Sequence, residues 1–357
     1  MKIVVACGGT GGHAFPGLAV AEELVRRGHE VTVWDSGRDI ESSVMQRWKG
    51  PVFSTGARPL SPRWAFANVK SILRCRREMR RYAPDVLLAM GSYSSLPPVL
   101  AARSRGVKVY LHEANAVPGK AVDFLSRFAD AVAISFPDTS RYLPGARTVC
   151  TGLPVRSDIS TGKRFPFIPA GSFVVFVTGG SQGAHAVNEI ASGALVMLKR
   201  TLDARPEGSG ARPLYVIHQT GLKDEGLVMA AYAAAGLPSR VHAFECEMAN
   251  AFATADIVVA RAGASTCFEL AACGKPAFLI PLPTALRDHQ HANAEVFAAK
   301  GAADEGIQAK LAPQALCRYL LTRHDRPELL ATAAERMRAC AAPNAAAAVA
   351  DLVEGKA

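Results

Sequence analysis

Short, mostly apolar runs alternate with longer stretches of helical periodicity from the start of the chain. Such runs, bounded by glycine, proline or charged residues, are typical of strands buried on both faces of a parallel sheet. The intervening stretches predict helices, such as Ala14–Arg27, where Leu18, Ala21 and Val25 share a face and Gly28 ends the helix. The predicted strands of the first part of the chain are Lys2–Cys7, Glu30–Asp35, Asp85–Met90, Val107–His112, Ala131–Ser135 and Arg147–Thr151.

The same alternation begins again after a proline- and glycine-bearing stretch, residues 151–171. Two successive series of strand–helix–strand units predict two doubly wound parallel sheets joined by this linker. Ligands of such sheets bind at the carboxyl ends of the strands, so the loops at those ends are the first candidates for function. The strands of the second series are predicted at Ser172–Thr178, Leu214–Gln219, Val241–Phe244, Asp256–Ala260 and Ala277–Pro281.

Three loops of small residues each follow a predicted strand. The first, GGTGGHAFP at residues 8–16, fits the dinucleotide-binding pattern through Gly9, Gly11 and Ala14, with Asp35 at the end of the next strand. The other two are GGSQGA at residues 179–184 and RAGAST at residues 261–266. Helix N-terminal N–H groups behind such loops bind phosphate. The loops therefore indicate a nucleotide in the second half and another anionic ligand in the first, while an NAD-dependent oxidoreductase remains an alternative.

Composition narrows the class of protein. The chain has 357 residues, 49% of them hydrophobic and 20% charged, which is typical of a globular protein with room for two domains. It contains no apolar stretch long enough to cross a membrane, and its first apolar run is too short for a signal peptide. The eight cysteines are scattered without metal-like spacing, which favours reduced, buried thiols in a cytosolic protein.

The net charge of +10 is confined to the first part of the chain. Residues 1–156 contain 22 Lys and Arg against 12 Asp and Glu, whereas residues 157–357 contain 19 of each. Much of the excess lies between Leu60 and Tyr82, where basic residues flank Trp64 and Phe66. Such a segment can rest on an anionic membrane surface. Alternatively, it is an amphipathic helix that packs on the sheet. The predicted membrane contacts are Leu60, Arg63, Trp64, Phe66, Lys70 and Arg74, and the apolar residues of the alternative are Val69, Ile72, Leu73 and Met79.

Several blocks together resemble one family. They are GGTGGHAFP, Met90–Tyr93, His112–Asn115, Gly152–Arg156, GGSQGA with Asn188, GASTCFE at residues 263–269, and Asp288–Gln290 with Asn293 and Ala294. In these blocks the chain resembles the MurG family, the UDP-N-acetylglucosamine–N-acetylmuramyl-(pentapeptide) pyrophosphoryl-undecaprenol N-acetylglucosamine transferases of glycosyltransferase family 28. The resemblance implies a GT-B fold, with two Rossmann-like domains facing each other across a cleft. It also implies an inverting enzyme without metal or other cofactor, peripheral on the cytoplasmic face of the inner membrane, with a cell-wall or division complex as a candidate partner.

The resemblance further implies which residues bind the donor, UDP-GlcNAc. Glu269 would hold the ribose, Gln290 would hold the GlcNAc, and the backbone at Phe244–Glu245 would contact the uracil. The whole set of implied donor contacts is Thr10, Gly11, Gly12, Asn115, Arg156, Ser181, Glu245, Ala264, Ser265, Thr266, Glu269, His289 and Gln290.

For the acceptor, the resemblance implies an undecaprenyl-pyrophosphoryl-MurNAc-pentapeptide whose C4 hydroxyl attacks the donor. An alcohol needs a general base at neutral pH, and imidazole suits that task because its ordinary pKa is about 6.5. We expect His13 to be this base, with Glu113 as the second candidate; the alternative is a histidine that only packs the first helix. The implied acceptor contacts are Gly8, Gly9, Gly12, Ser92, Tyr93 and His112.

The implied domains are an acceptor domain of residues 1–156 plus about 341–357, and a donor domain of residues 157–340. Three positions depart from the family pattern: Glu245 replaces an apolar residue, Ala114 a glutamine and Ser92 a glycine. Three alternatives remain beside the lipid-linked transferase. They are a GT-B transferase with a different lipid acceptor, the NAD-dependent oxidoreductase, and a nucleotide-sugar-binding module without catalysis. Nucleic acid is not an expected partner, since no nucleic-acid-binding motif accompanies the positive charge.

Overall fold

The computed structural model describes residues 1–9, 11–37, 45–59, 61–206, 208 and 210–357. The chain divides into two compact units, Met1–Arg156 with Ala342–Ala357, and Ser157–Ala341. Each unit contains one sheet whose paired strands are all parallel. The prediction of two doubly wound parallel α/β sheets is therefore confirmed.

The first unit has a seven-stranded sheet in the order β3-β2-β1-β4-β5-β6-β7. Its strands are β1 (Lys2–Ala6), β2 (Glu30–Asp35), β3 (Val52–Ser54), β4 (Val86–Ala89), β5 (Lys108–Glu113), β6 (Ala131–Ile134) and β7 (Thr148–Cys150). Its α-helices among the described residues are α1 (Gly11–Arg26), α2 (Ala65–Tyr82), α3 (Leu96–Arg103) and α4 (Lys120–Leu125), with the C-terminal helix Ala345–Glu354.

The second unit has a six-stranded sheet in the order β10-β9-β8-β11-β12-β13. Its strands are β8 (Phe173–Thr178), β9 (Leu214–Gln219), β10 (Ser239–His242), β11 (Ile257–Ala260), β12 (Ala277–Leu279) and β13 (Ala303–Glu305). The helices of this unit are α5 (His185–Asp203), α6 (Glu225–Ala234), α7 (Met248–Thr254), α8 (Ala264–Cys273), α9 (His289–Ala299), α10 (Pro313–Asp325) and α11 (Pro327–Ala339); the C-terminal helix of the first unit is α12.

Apolar layers cover both faces of the first sheet, as a doubly wound fold requires. Along β1, Ile3 and Val5 point into one core cluster, and Val4 and Ala6 into the cluster on the other face. Because successive side chains of a strand point to opposite faces, a strand buried on both sides must be apolar throughout. This is why the short apolar runs predicted the central strands so well.

Helix α1 shows what the helical periodicity predicted and where it failed. Leu18 and Ala21 are buried as expected, but Val25 is 48% exposed, and Leu24 takes its place in the core. The helix ends at a left-handed Gly28 (φ +85°), whose N–H donates to the carbonyl of Val25 at 2.9 Å. Glycine adopts this conformation without the steric cost that a Cβ would add.

Ion pairs and a histidine contact attach the C-terminal helix α12 to the residues that directly follow α1. Arg27 contacts Asp351 at 2.6 Å and Glu354 at 2.7 Å, and the His29 ring contacts Glu354 at 2.7 Å. Val349 and Val353 of the same helix enter the core cluster that α1 contributes to. The last helix therefore completes one layer of the first sheet.

Two further features concern the chain as a whole. None of the helices within the described ranges is long and apolar enough to cross a membrane. All eight cysteines are free thiols; Cys150 and Cys246 are exposed, so the expectation that every thiol is buried is wrong at these two positions.

The ion-pair cluster generates a prediction about stability. Hydrogen bonds from Lys356 and His29 lower the pKa of Glu354 to about 2. Since the folded pKa lies below the ordinary value of a glutamate, this contribution is present above about pH 4.5 and is lost as the pH falls towards 2. We expect Glu354→Gln to reduce the free energy of unfolding by about 1–2 kcal/mol at pH 7, with a difference that shrinks below pH 4.5.

Urea unfolding curves of both proteins, recorded from pH 7 down to pH 3, measure this difference. Glu328→Gln is the matched control, because Glu328 and its partner Arg326 are both exposed and such pairs contribute little. A Glu354→Gln effect that did not change with pH would contradict the ionic origin.

Candidate active site

Each sheet reverses its strand order at one point, and the small-residue loops lie at these points. In the first unit β1 is flanked by β2 and β4, and in the second β8 is flanked by β9 and β11. The connections that follow the two neighbouring strands leave in opposite directions there, which opens a crevice at the carboxyl end of the sheet. The loops after β1 and β4, and those after β8 and β11, therefore border the two candidate sites.

The loop after β1 packs closely against the loops that follow β2 and β4. A Cβ atom on Gly8 would lie 2.6 Å from the backbone nitrogen of Ser36, and one on Gly9 would lie 2.4 Å from Oγ of Ser92. Ser94 donates its hydroxyl to the carbonyl of Gly8 at 2.6 Å. Gly8 is required by space, because the atom it would meet belongs to the backbone, and Gly9 is required by its φ of +118°. The close approach brings the start of α1 up to the loop that follows β4.

His13 is the third residue of α1 and bridges these two loops. Its Nδ1 lies 2.8 Å from the carbonyl oxygen of Met90. A carbonyl only accepts, so Nδ1 carries the proton and, in the neutral ring, Nε2 carries the lone pair. A Cβ on Gly91 would lie 3.5 Å from Cε1 of His13 and 3.3 Å from the carbonyl oxygen of His112. The glycine thus lets the imidazole lie close against the end of β4.

His112 at the end of β5 is buried. Its Nε2–H donates to the carbonyl of Gly152 at 3.3 Å, and burial lowers the pKa of the ring to about 4. The neighbouring His13 also lowers the pKa of His112, so the two imidazoles are close enough to interact electrostatically. His112 is accordingly neutral at neutral pH. Its predicted contact with an acceptor stays a prediction.

Glu113, the last residue of β5, organises the loop that follows. One carboxylate oxygen accepts hydrogen bonds from the backbone N–H and side-chain amide of Asn115 at 2.9 and 3.0 Å, and the other from the N–H of Gly119 at 2.9 Å. Burial raises its pKa, while these donors oppose the rise. These hydrogen bonds orient Asn115, which is expected to contact the sugar donor UDP-GlcNAc. The role of Glu113 as a second candidate base stays a prediction.

The loop after β4 contains an unusual backbone conformation. Ser92 has a φ of +69°, in the left-handed region that favours glycine, directly after Gly91 at +83°. A glycine, which the family resemblance implies at position 92, would adopt this conformation without the steric cost of a Cβ. Strain of this kind persists where the surroundings hold it, and here Gly9 packs on the Ser92 side chain. Tyr93 follows in a short 3-10 turn, Tyr93–Ser95, and is partly exposed.

In the second unit, the loop after β8 is also held by backbone contact. A Cβ on Gly183 would lie 2.0 Å from the carbonyl oxygen of Thr220, and the φ of Gly183 is +74°. The side-chain amide of Gln219 donates to the carbonyl of Gly180 at 2.8 Å. Ser181 at the tip of this loop is exposed. The loop therefore has a defined shape, set by the end of β9, with Ser181 accessible to a ligand.

Helix α8 begins directly after β11, with Gly263 as an extended N-cap residue. The first N–H groups of any helix lack a carbonyl acceptor from the same helix, so a helix N-terminus can bind an anion. Ser265 and Thr266 in the first turn are partly exposed, and so is Glu269 one turn later. A carboxylate and two hydroxyls thus lie beside a helix N-terminus. This is the arrangement expected of the loop at residues 261–266.

Strained backbone also precedes α9. Arg287 and Asp288 have φ values of +55° and +53°. His289 then donates from Nδ1 to the carbonyl of Leu286 at 2.8 Å, and Gln290 accepts at Oε1 from the N–H of Leu282 at 3.0 Å. The oxygen and nitrogen of a side-chain amide point in different directions. The amide nitrogen of Gln290 therefore points away from Leu282.

Comparison with known proteins decides the class. The profile of the Glycosyltransferase family 28 C-terminal domain matches residues 174–353, and that of the Glycosyltransferase family 28 N-terminal domain matches residues 3–134. The chain belongs to glycosyltransferase family 28. Both halves of the chain match in the order that the sequence predicted, and the family favours the transferase over the NAD-dependent oxidoreductase.

Named relatives narrow the family further. The chain is 36% identical to a UDP-N-acetylglucosamine–N-acetylmuramyl-(pentapeptide) pyrophosphoryl-undecaprenol N-acetylglucosamine transferase of Pelobacter propionicus, over 92% of this chain and 93% of the relative. It is also 36% identical to the enzyme of that name from Geotalea daltonii, over 100% and 98% of the two chains. These identities confirm the MurG-family resemblance that the sequence blocks indicated.

Solved structures agree with the two-sheet architecture. The crystal structure of Acinetobacter baumannii MurG aligns with a TM-score of 0.77 and 32% identity, over 99% of each chain. A UDP-GlcNAc 2-epimerase from Neisseria meningitidis, bound to UDP-GlcNAc, aligns with a TM-score of 0.73 at 14% identity and shares the fold alone. The GT-B assignment of the fold is confirmed.

The expected site residues lie at several strand ends. Those at the first switch point are Gly8, Gly9, Gly11, Gly12, His13, Ser92 and Tyr93, and those at the end of the adjacent strand β5 are His112, Glu113 and Asn115. Around the second switch point lie Ser181, Ala264, Ser265, Thr266 and Glu269, whereas Glu245 follows β10 and His289 and Gln290 begin α9. Arg156 ends the first unit, with its guanidinium 4.8 Å from the ring centroid of Phe15. Thr10 and Leu60 lie outside the described residues.

Arg261, which directly follows β11, belongs to the third loop, and no expectation for its side chain came from the sequence. Its guanidinium is buried and donates to the carbonyls of Ile280 and Pro281, both at 3.0 Å, and to the side chain of Gln308 at 2.7 Å. Burial lowers the pKa of the Arg261 guanidinium from the ordinary arginine range. The three oxygen acceptors provide hydrogen bonds for its N–H groups. Arg261 ties the ends of neighbouring strands together behind α8. An arginine that directly follows a fully apolar strand was the signal that could have found it.

The His13 geometry generates a prediction for catalysis. We expect His13→Gln, which keeps a donor for the Met90 carbonyl but has no basic nitrogen, to reduce kcat by a factor of about 10²–10⁴. The Kd for UDP-GlcNAc should remain within about twofold, because the base acts on the acceptor hydroxyl. Steady-state kinetics and calorimetric titration measure the two quantities. His29→Gln is the control, since that ring contacts α12 instead. Unchanged turnover in His13→Gln would remove His13 from the mechanism.

Proposed function

We propose that this protein is an inverting transferase that moves GlcNAc from UDP-GlcNAc to the C4 hydroxyl of MurNAc in undecaprenyl-pyrophosphoryl-MurNAc-pentapeptide. The product is the lipid-linked disaccharide used for peptidoglycan synthesis. The observation that carries this proposal is the full-length identity with transferases of that name, together with a histidine of defined tautomer at the first switch point.

In the proposed reaction the acceptor oxygen attacks C1 of GlcNAc from the side opposite UDP. The O4–C1 bond forms, the bond from C1 to the diphosphate oxygen breaks, and the configuration at C1 inverts. Nε2 of His13 takes the hydroxyl proton, while Nδ1 keeps its bond to Met90 and holds the ring in that orientation. UDP leaves with the electron pair of the broken bond.

The leaving diphosphate requires positive potential. N–H groups at the start of α8, with Ser265 and Thr266, can stabilise the phosphates, and the loop around Ser181 adds polar contacts. Arg156 would add a cation, and Glu269 would accept hydrogen bonds from the ribose hydroxyls. These groups stabilise negative charge that grows as the glycosidic bond breaks, which is how fixed dipoles accelerate a reaction.

Access to a lipid-linked acceptor is proposed to come from α2. On this helix Phe66 is 84% exposed, Val69 53% and Leu73 59%, and their spacing places them on one face. Asn68, Ser71, Cys75 and Met79 form the buried face. The alternative in which Val69 and Leu73 pack on the sheet is therefore wrong, although Met79 does pack there.

Basic side chains border this apolar face. Lys70 and Arg74 are exposed on the same helix, and the Arg63 guanidinium lies 5.1 Å from the ring centroid of Trp64. We propose that this face contacts an anionic bilayer, to which each cation near the surface contributes about 1 kcal/mol. A peripheral position on the cytoplasmic face of the inner membrane, and contacts with cell-wall or division proteins, belong to the same proposal.

The transfer reaction gives the direct test. We expect labelled GlcNAc to move from UDP-GlcNAc to a lipid-pyrophosphate-MurNAc-peptide analogue, and UDP-GlcNAc to raise the Tm of the protein while NAD does not. A ligand at 100 times its Kd stabilises the folded state by about 2.7 kcal/mol, which a thermal melt detects. A protein stabilised by NAD and not by UDP-GlcNAc would contradict the proposal.

The membrane proposal has a separate test. We expect Phe66→Ser to weaken sedimentation with phosphatidylglycerol-containing vesicles by about tenfold, because burying a phenylalanine contributes about 1.5–3 kcal/mol. Leu227→Ser, an exposed helical residue of the second unit, should leave vesicle binding unchanged. The activity of both variants on a short-chain, water-soluble acceptor should equal the wild-type value. Equal losses of vesicle binding in both variants would argue against α2.

A further inference from the structure

A chain of buried polar side chains lies behind the loop at residues 179–184. Its members are Asn188 in the first turn of α5, His218 near the end of β9, Asp224 at the N-cap of α6, and Tyr232 within α6. All four residues are buried. Polar groups at such depth are costly unless hydrogen bonds satisfy them, so the partners of each group are informative.

The partners determine every hydrogen-bond direction in this chain. The amide nitrogen of Asn188 donates to the carbonyl of Thr220 at 2.8 Å and to Asp224 at 2.7 Å. Both partners only accept, so the amide oxygen faces the other way, and Nε2–H of His218 donates to it at 3.1 Å. Burial lowers the pKa of His218 to about 3. The ring is therefore neutral, and its Nδ1 accepts from the Tyr232 hydroxyl at 2.8 Å.

The Thr220 carbonyl is the point at which this chain meets the loop. A Cβ on Gly183 would lie 2.0 Å from that carbonyl oxygen, and a Cβ on Gly221 would lie 2.3 Å from the carbonyl oxygen of Gln182. The N–H of Gly183 also donates to the carbonyl at residue 180 at 2.9 Å, which closes the turn at residues 180–183. The peptide between residues 220 and 221 therefore supports this turn.

Asp224 holds the Asn188 amide in the orientation that serves Thr220. Its carboxylate oxygens lie 3.0 and 3.1 Å from Nδ1 of His185, the first residue of α5. Burial alone would raise the pKa of Asp224, but the hydrogen bonds from Asn188 and His185 lower it below its ordinary value. The carboxylate is accordingly ionised at neutral pH and only accepts, so it cannot turn the amide round.

Resting on the donor site proposed above, we infer that Asn188 is a positioning residue for the turn at residues 180–183, with Asp224 as the group that orients it. Both side chains are buried, so they act through the backbone and not on the ligand. Asn188 fixes the Thr220 carbonyl, and the carbonyl supports the turn that carries Ser181. A turn held in one shape binds a diphosphate without the entropy cost of ordering it first.

A variant that exchanges the two side chains separates this role from simple stabilisation. In Asn188→Asp/Asp224→Asn, the amide at position 224 donates to the carboxylate at position 188, so α5 and α6 stay linked. His218 still has an acceptor at position 188. The Thr220 carbonyl, however, loses its donor, because an ionised carboxylate has none.

We expect the exchange variant to lose one hydrogen bond, which should lower the Tm by only about 2–4 °C. The Kd of UDP should rise about tenfold, and the KM for UDP-GlcNAc should rise by the same factor. The Kd of uridine should stay within about twofold, since uridine has no phosphate for the turn to bind. Calorimetric titration of the full-length protein with UDP, and competition by uridine, measure these constants.

Three further variants give the controls. Asp224→Asn alone keeps both the Asn188 donor and an oxygen at position 224, so UDP should bind within about threefold of wild type. Asp304→Asn removes a carboxylate from edge strand β13, where it accepts from Tyr319 and Arg323, and should leave UDP binding unchanged. If the exchange variant fails to fold, Asn188→Ala, which also removes the donor, is compared with Asp224→Asn.

An unchanged Kd of UDP in the variant that lacks the donor would overturn the inference. Equal losses for UDP and uridine would also overturn it, because the effect would then not be specific to the diphosphate. Wild-type protein that transfers GlcNAc keeps the proposed function intact whatever these variants show. Wild-type protein that binds neither UDP nor UDP-GlcNAc would overturn both proposals.

Discussion

Close backbone contact at the carboxyl ends of β1 and β8 is the constraint on which both candidate sites depend. The loop after β1 lies against Ser36, and the loop after β8 lies against Thr220, at distances that leave no room for a Cβ on Gly8 or Gly183. Each contact joins a loop to the end of the neighbouring strand. The helix that follows is thereby set with its first turn at the switch point, where its N–H groups can meet an anion. The glycines are thus needed for packing before any ligand binds.

Buried ionisable side chains then define the rest of each site. Glu113 orders the loop that carries Asn115, Arg261 ties strand ends together behind α8, and Asp224 orients Asn188 behind the loop that follows β8. In each case the charge is surrounded by hydrogen-bond partners, which offsets the cost of removing it from water. The directional character of these bonds is what an apolar core cannot supply. Charged residues of this kind shape the candidate site without facing the substrate.

Much of the fold could be predicted because strands buried on both faces must be apolar throughout. The short edge strands β3 and β13 were missed, since Val52–Ser54 and Ala303–Glu305 lack the buried apolar run that marked the central strands. Periodicity also placed Val25 on the core face of α1, although that face turns slightly and takes Leu24 instead. On α2 the apolar residues Val69 and Leu73 face outward. Hydrophobic spacing locates a helix, but its buried face depends on which neighbour it packs against.

The sequence by itself determined the order of the two α/β series, the glycine loops at their strand ends and, through the blocks shared with one family, the class of transferase. These features depend on short-range pattern and on residue identity, both of which are visible along the chain. Tertiary structure alone decided the tautomer of His13, the engagement of both Glu113 oxygens and the orientation of the Asn188 amide. Each of these depends on partners that come from other strands and loops, and hydrogen bonding between such partners becomes defined only when the sheet order brings them together.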